Sequence, residues 1–233
     1  CEKKCEPKLV MCCDDRPAWS LSLGGQYTWM SFKSPPTLKG STGGGIAKLT
    51  YETSKSFFGE WRNVVNAGQL SSGSQKSNEL EWYSEFVAGY TFAPSSCWMF
   101  TPYAGVGFDY LKDKKHSFDS VSSIDLKYRT YYTVIGFDTH YMWDDWSIGL
   151  QGDCLPVCNQ FLSIGGLSGA AWKMKERVGW AARLPIGYKI SSCIWVELAP
   201  YYRFFPIGES DTLGLPHRNL NQWGGFLTFR FFL

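Results

Sequence analysis

The sequence predicts an all-β protein, an antiparallel up-and-down transmembrane β-barrel of about ten strands, with eight strands as the alternative. Apolar and polar residues alternate with a period of two through long stretches. These stretches reach the ~9–11 residues that a tilted strand needs to cross lipid. The 233 residues include 11 Trp, 13 Tyr and 16 Phe, and the aromatic residues recur near strand ends, which is typical of girdles at two membrane interfaces. No run of ~18 uninterrupted apolar residues exists, so the sequence contains no candidate transmembrane helix.

The clearest pattern is a hairpin between residues 178 and 204. Large apolar residues from Val178 to Ile190 alternate with small or cationic ones. After a polar break at 191–193 the alternation resumes, and Leu198 lies on the face opposite Arg203. Both runs exceed the usual five or six residues of a globular strand. We interpret them as two membrane-crossing strands.

The first five strands are each predicted from an apolar face opposite a polar one. In the first, Trp19 and Tyr27 alternate with serine, glycine and glutamine. The second and third are weaker and place Lys48 and Arg62 on the polar face. The fourth is clean, with aromatic and aliphatic residues opposite glutamate, tyrosine, glycine and threonine, and the fifth alternates apolar residues with threonine, tyrosine, glycine and aspartate. The predicted bounds are 18–31, 46–53, 57–65, 80–92 and 97–110.

The remaining strands include one ambiguous case. Tyr131 and Tyr132 are adjacent in the sixth strand, and we place Tyr131 outward. In the last strand Trp223, Leu227 and Phe229 share one face. The predicted bounds are 127–141, 146–150, 178–190, 194–205 and 222–233.

The connections alternate between long and short. Four tight turns are predicted near residues 54, 94, 143 and 192, and five long loops lie between them. Outer-membrane barrels have short periplasmic turns and long outer loops, with an even number of strands. We therefore expect both termini in the periplasm, residues 1–16 as a cysteine-rich periplasmic tail, and residues 17–233 as the barrel. The predicted long loops are 32–45, 66–78, 111–125, 152–176 and 206–221.

This pattern resembles the small bacterial outer-membrane β-barrels, the opacity and OmpA/OmpX-like group in the broad sense. The carboxyl terminus carries the most specific feature, since Phe229, Phe231 and Leu233 match the alternating aromatic ending of these proteins except that the last residue is leucine. The resemblance implies contact with outer-membrane lipid and with the barrel-assembly machinery that reads this ending. It also implies that a signal sequence is removed before the first residue numbered here.

Charged residues of both signs are predicted to point into the barrel. In a narrow barrel they can fill the interior as a network of ion pairs and hydrogen bonds. The alternative is a narrow water-filled pore whose charges set ion selectivity. The predicted lumen residues are Lys48, Glu52, Glu60, Arg62, Glu81, Glu85, Asp109, Asp138, Arg183, Lys189, Glu197, Arg203 and Arg230.

The eight cysteines resemble those of envelope proteins in chlamydia-like bacteria, which are cross-linked by disulfides. Cys154 and Cys158 would need further ligands to bind a metal, and a local disulfide between them is the simpler expectation in an oxidising compartment. Pairing cannot be read from sequence, and cross-linking of the tail to other cysteine-rich envelope proteins stays open. The disulfide candidates are Cys1, Cys5, Cys12, Cys13, Cys97, Cys154, Cys158 and Cys193.

The leading functional hypothesis is a structural and surface-interaction protein of the cell envelope, and a small porin or channel is the alternative. An outer-membrane hydrolase would require a histidine beside a serine and a carboxylate. The candidates are His140, near Asp138, and His217. We expect no enzymatic activity, no cofactor, no bound metal and no nucleic-acid partner.

Overall fold

The computed structural model describes residues 18–33, 37–53, 56–73, 75–95, 97–116, 124–165, 171–210 and 218–233. These residues form one antiparallel sheet that closes on itself as a ten-stranded barrel, which confirms the predicted fold class and strand number. The predicted tail at 1–16, with Cys1, Cys5, Cys12 and Cys13, lies outside the described residues, as does His217. In the described part of the chain, no helix is long and apolar enough to cross a membrane.

Each strand pairs with its neighbours in sequence, and the first pairs with the last to close the barrel. The closing register runs from Ser20 opposite Phe232 to Lys33 opposite Asn219. The strands are β1 (Ala18–Lys33), β2 (Leu38–Glu52), β3 (Phe57–Ser72), β4 (Gln75–Tyr90, continued by Phe92–Ser95), β5 (Trp98–His116), β6 (Ile124–Trp143), β7 (Trp146–Ile164), β8 (Ala171–Met174, Val178–Arg183 and Ile186–Ser191), β9 (Ile194–Ile207) and β10 (Arg218–Phe232).

The two ends of the barrel differ. One end, called the turn end, carries the chain termini of the barrel and the tight connections at 53–56, 96–97, 144–145 and 192–193. These confirm the predicted turns near 54, 143 and 192, whereas the turn predicted near 94 lies further along the chain, because Phe92–Ser95 still pairs with the next strand. The opposite end, called the loop end, carries the connections at 34–37, 73–74, 117–123, 165–170 and 208–217.

The predicted long loops are wrong in their bounds, because strands continue into all five of them. The pairing of β3 with β4, for example, reaches Ser72 opposite Gln75, inside the predicted loop at 66–78. Backbone hydrogen bonds continue the ladder there although the outward residues are no longer apolar. The apolar-outward alternation therefore ends before the strands do.

Two local irregularities shape the wall. β8 is interrupted at Pro185, which has no N–H for the ladder, so the predicted continuous strand at 178–190 is divided; the Leu184 N–H still donates to the Pro200 carbonyl over 2.9 Å. A β-bulge in β7 lies opposite Tyr131 and Tyr132. Tyr131 points outward and Tyr132 inward, as predicted.

Candidate functional site

The lumen is the candidate site, and its contents form three layers along the barrel axis. An open space at the turn end, called the turn-end cavity, is followed by a buried set of charged and hydroxyl groups, called the central network. The third layer, at the loop end, is apolar and is called the apolar plug. Successive side chains of a strand point to opposite faces, so the residues of all three layers occupy the inward positions of their strands.

Arg203 of β9 is the centre of the network. Its guanidinium donates to Glu81 Oε1 over 2.9 Å and to Asp109 Oδ2 over 2.8 Å. The side chain is 2% exposed and lies 4.4 Å from the ring centroid of Tyr83. Glu81 also accepts hydrogen bonds from Gln222 over 2.8 Å. Charges this deeply buried need such partners, because water does not reach them.

A second group of ion pairs lies beside Arg203. The Arg62 guanidinium donates to Glu85 over 2.8 Å and to Glu60 over 2.6 Å. Arg183 lies 3.7 Å from Asp153 and donates to Gln151 over 3.1 Å. The two groups are joined because Tyr132, which lies next to Arg203, donates its hydroxyl to Glu85 over 3.0 Å.

Two tyrosine rings lie against glycines of the neighbouring strand. A Cβ atom on Gly107 would lie 2.3 Å from the Tyr132 ring, and one on Gly136 would lie 2.6 Å from the Tyr103 ring. Tyr103 donates to Asp153 over 2.5 Å. The glycines therefore give both rings the space in which their hydroxyls reach the buried carboxylates.

The apolar plug fills the loop end of the lumen. Met30, Leu70 and Leu162 each have 0% of their surface exposed. A water-wide passage along the axis would expose these side chains, so their complete burial means that the layer is packed shut. The other apolar members are Phe32, Leu38, Leu111, Leu126, Tyr128, Met174, Ile207 and Leu220.

The turn-end cavity has a volume of about 260 Å³, and a smaller space of about 90 Å³ reaches from the same region towards Arg62 and Arg183. His140 lines it with Nε2 at 3.0 Å from Asp138 Oδ1. Ser147 also lines the cavity, yet no hydrogen bond joins it to His140 in the described structure. The three residue types of a hydrolase share this space without a bonded nucleophile and base.

The structure places the predicted lumen residues at two levels. Six of them are buried in the central network: Arg62, Glu81, Glu85, Asp109, Arg183 and Arg203. Others line the two cavities as pairs, with Lys48 at 3.3 Å from Glu197 and Arg230 at 2.9 Å from Glu52. The remaining three are Glu60, which accepts from Arg62, Asp138, which lies beside His140, and Lys189, which is half-buried next to the turn end.

Sequence reasoning missed several polar members of the lumen. Asp153 and Gln151 belong to the central network, and Gln160 and Asn66 are 1% exposed. Asp153 and Gln160 fell within the predicted loop at 152–176, and Asn66 within the one at 66–78. Each of these residues lies two positions from another inward residue of the same strand. This spacing is the signal from which their inward direction could have been predicted.

The described cysteines correct one expectation. Cys154 and Cys158 are free thiols on the outer surface of β7, so the expected local disulfide is wrong. Residues four apart on an extended strand have Cα atoms ~13 Å apart, whereas a disulfide needs less than ~7 Å. Cys97 and Cys193 both lie at the turn end. Among the described residues no group of His, Cys, Asp and Glu is arranged to hold a metal ion.

Comparison with solved structures gives the fold a context. The outer-membrane protease OmpT from Escherichia coli superposes with a TM-score of 0.54 at 10% identity, over 96% of this chain and 100% of that chain. The translocator domain of the autotransporter NalP from Neisseria meningitidis gives a TM-score of 0.51 at 10% identity, over 92% of this chain and 88% of that chain. No protein-family model and no curated protein matches the sequence. The likeness is therefore one of fold, that of bacterial outer-membrane barrels.

Proposed function

We propose that this chain is an integral outer-membrane β-barrel with a closed lumen, which serves the cell envelope in a structural and surface-interaction role. The observation that carries the proposal is the double closure of the lumen by the central network and the apolar plug. A pore that admits solutes needs a continuous hydrated path, and two successive layers of fully buried side chains occupy that path. The proposal includes an orientation in which the turn end faces the periplasm and the loop end faces the exterior, because outer-membrane barrels have short periplasmic turns and longer outer loops.

A small channel is the second candidate, and the turn-end cavity favours it. This cavity of about 260 Å³ already forms the first part of a solute path. Conduction would then require the Arg203 ion pairs and the plug to move together. Hydrolysis is a weaker third candidate that rests on His140, Asp138 and Ser147 in the cavity.

Several parts of the proposal concern partners. We also propose that the chain is a member of the opacity and OmpA/OmpX-like group, since the comparisons support an outer-membrane barrel without selecting a group. The outward-facing Phe229, Phe231 and Leu233 are the proposed assembly signal. The tail cysteines are the proposed cross-links to other envelope proteins, for which non-reducing electrophoresis of envelopes is the test.

Solute uptake into vesicles tests the closed lumen. Phosphatidylcholine vesicles that contain the refolded protein should swell in isotonic arabinose no faster than protein-free vesicles. Insertion is verified separately by the change in electrophoretic mobility on heating. Swelling that increases with protein content and falls with solute size would overturn the proposal in favour of the channel.

A further inference from the structure

The outer surface of the barrel differs sharply between its two ends. At the turn end most of the described outward side chains are aromatic or aliphatic, as at Trp19, Trp98 and Trp146, and the turn at 144–145 adds two aspartates. At the loop end the outward positions include many cations. Five of them lie together on the outer surface formed by β5 to β8 and are called the basic patch: Lys112, Lys114, Lys127, Arg129 and Lys173.

The strand register fixes the outward direction of the basic patch. Leu111 and Asp113, on either side of Lys112, are 4% and 1% exposed because they point into the lumen. Arg129 lies likewise between the buried Tyr128 and Thr130. Successive side chains of a strand point to opposite faces, so the cations between these buried positions project from the barrel wall.

The patch is continuous across neighbouring strands. Lys112 lies opposite Lys127 in the pairing of β5 with β6. Arg129 and Lys173 both lie opposite Phe161 of β7. Like charges at directly opposed positions are destabilising in a sheet, so this arrangement has an electrostatic cost in the absence of a bound anion.

Acidic side chains compensate only part of this charge. Asp125 lies 3.5 Å from Lys112, and Glu176 lies 3.5 Å from Lys173. Lys114, Lys127 and Arg129 form no ion pair within the described part of the chain. The patch therefore presents a net positive charge to whatever surrounds the barrel at this level.

The position of the basic patch along the barrel axis indicates which part of the membrane surrounds it. Directly towards the turn end lies an outward aromatic cluster, in which the Phe108 ring centroid is 5.6 Å from Trp82 and 5.1 Å from Tyr131. Such aromatic residues lie at the interface between hydrocarbon and headgroups in outer-membrane barrels. Arg129, Lys127 and Lys112 lie one or two outward positions beyond this cluster, at the height of the headgroups, where lipid phosphates are found.

We propose that the basic patch binds the phosphate groups of phosphorylated lipids in the leaflet at the loop end. Lysine and arginine donate charge-assisted hydrogen bonds to phosphate oxygens. The bound phosphates offset the repulsion between Lys112 and Lys127. The inference rests on the proposed membrane location but not on whether the lumen conducts.

Lipid retention measured by native mass spectrometry tests this assignment. The protein in dodecyl maltoside micelles is titrated with dioleoylphosphatidate, and with dioleoylglycerol, which has the same chains and no phosphate. We expect saturable retention of phosphatidate and none of dioleoylglycerol. Raising NaCl from low concentration to ~1 M should weaken retention, because the Debye length falls to ~3 Å.

Two charge-matched variants locate the site. The triple variant Lys112→Gln, Lys127→Gln and Arg129→Gln should lower phosphatidate affinity at least tenfold. The control variant Lys33→Gln, Lys39→Gln and Lys76→Gln removes the same charge from β1, β2 and β4, outside the patch, and should change affinity less than twofold.

Three results would overturn the assignment: equal losses in both variants, no loss in the patch variant, or equally tight, patch-dependent binding of soluble polyphosphate. The last result would indicate a soluble polyanion as the ligand. Failure of both variants and the parent protein to insert into vesicles would instead contradict the membrane location, which separates the two ideas.

Discussion

At the scale of single residues, Arg203 determines how the lumen is filled. One guanidinium compensates both Glu81 and Asp109, and it lies between the aromatic rings of Tyr83 and Phe205 at 4.4 and 4.7 Å. Breaking a buried ion pair on one side is costly because the other charge stays buried alone. The network is therefore expected to respond very differently to one-sided and balanced substitutions.

Arg203→Met should destabilise the barrel by ~3–5 kcal/mol, because it leaves two buried carboxylates without their cation. The triple variant Arg203→Met, Glu81→Gln and Asp109→Asn removes all three charges and should recover more than half of that loss. Urea unfolding in detergent micelles measures both changes. A triple variant less stable than Arg203→Met would contradict the ion-pair account.

Gly107→Ala should destabilise the barrel by ~1–3 kcal/mol through overpacking, because the new Cβ would meet the Tyr132 ring that bonds Glu85. Gly45→Ala is the matched control, since a Cβ there has only one atom within 4 Å, the Gly24 carbonyl oxygen at 3.7 Å. The same urea titration compares them. Equal stability of the two variants would show that Tyr132 does not need its place over Gly107.

At the scale of strands, the sequence predicts the middle of each element well and its loop-end extension poorly. Within lipid one face must be apolar, so the period of two is visible from Trp19 or Leu198. Towards the loop end the outward positions are polar and many inward positions are apolar, as at Lys112 beside the buried Leu111, so the apolar-outward pattern is lost. The strand persists there through backbone hydrogen bonds, which that pattern does not report.

The candidate site, too, can be predicted only in part from the sequence. Inward charges such as Arg62 and Glu85 were predicted from the period alone. The pairing of the inward charges cannot be predicted in this way, because partners such as Arg203 and Glu81 lie 122 residues apart in sequence. Which side chains meet across a lumen depends on the stagger of all the strands around the barrel, and a one-residue change of register would turn each side chain to the other face.

The extended geometry of β7 makes a further prediction about Cys154 and Cys158. Both thiols should react with N-ethylmaleimide in detergent without prior reduction, because their separation forbids a local disulfide. Cys154→Ser with Cys158→Ser should change unfolding free energy by less than ~0.5 kcal/mol, as for surface positions. Peptide mass mapping of the alkylated protein checks the reactivity of the thiols, and urea unfolding checks the stability of the double variant. A peptide with the two cysteines joined would refute the geometry.

At the scale of the whole molecule, two asymmetries define the barrel. Inside, a cavity at the turn end gives way to charged and then apolar layers that close the lumen. Outside, an aromatic turn end contrasts with a cationic loop end. The inner asymmetry underlies the proposed non-conducting role, and the outer one underlies the proposed contact with lipid phosphates.

Single-channel recording in a planar bilayer tests the closed lumen most directly. The refolded protein is inserted with and without reductant, and insertion is verified by heat-modifiable mobility. A closed lumen predicts a flat baseline at all applied voltages, since the central network and the plug block ions in succession. Discrete, reproducible and ion-selective current steps would contradict the account and establish the barrel as a channel.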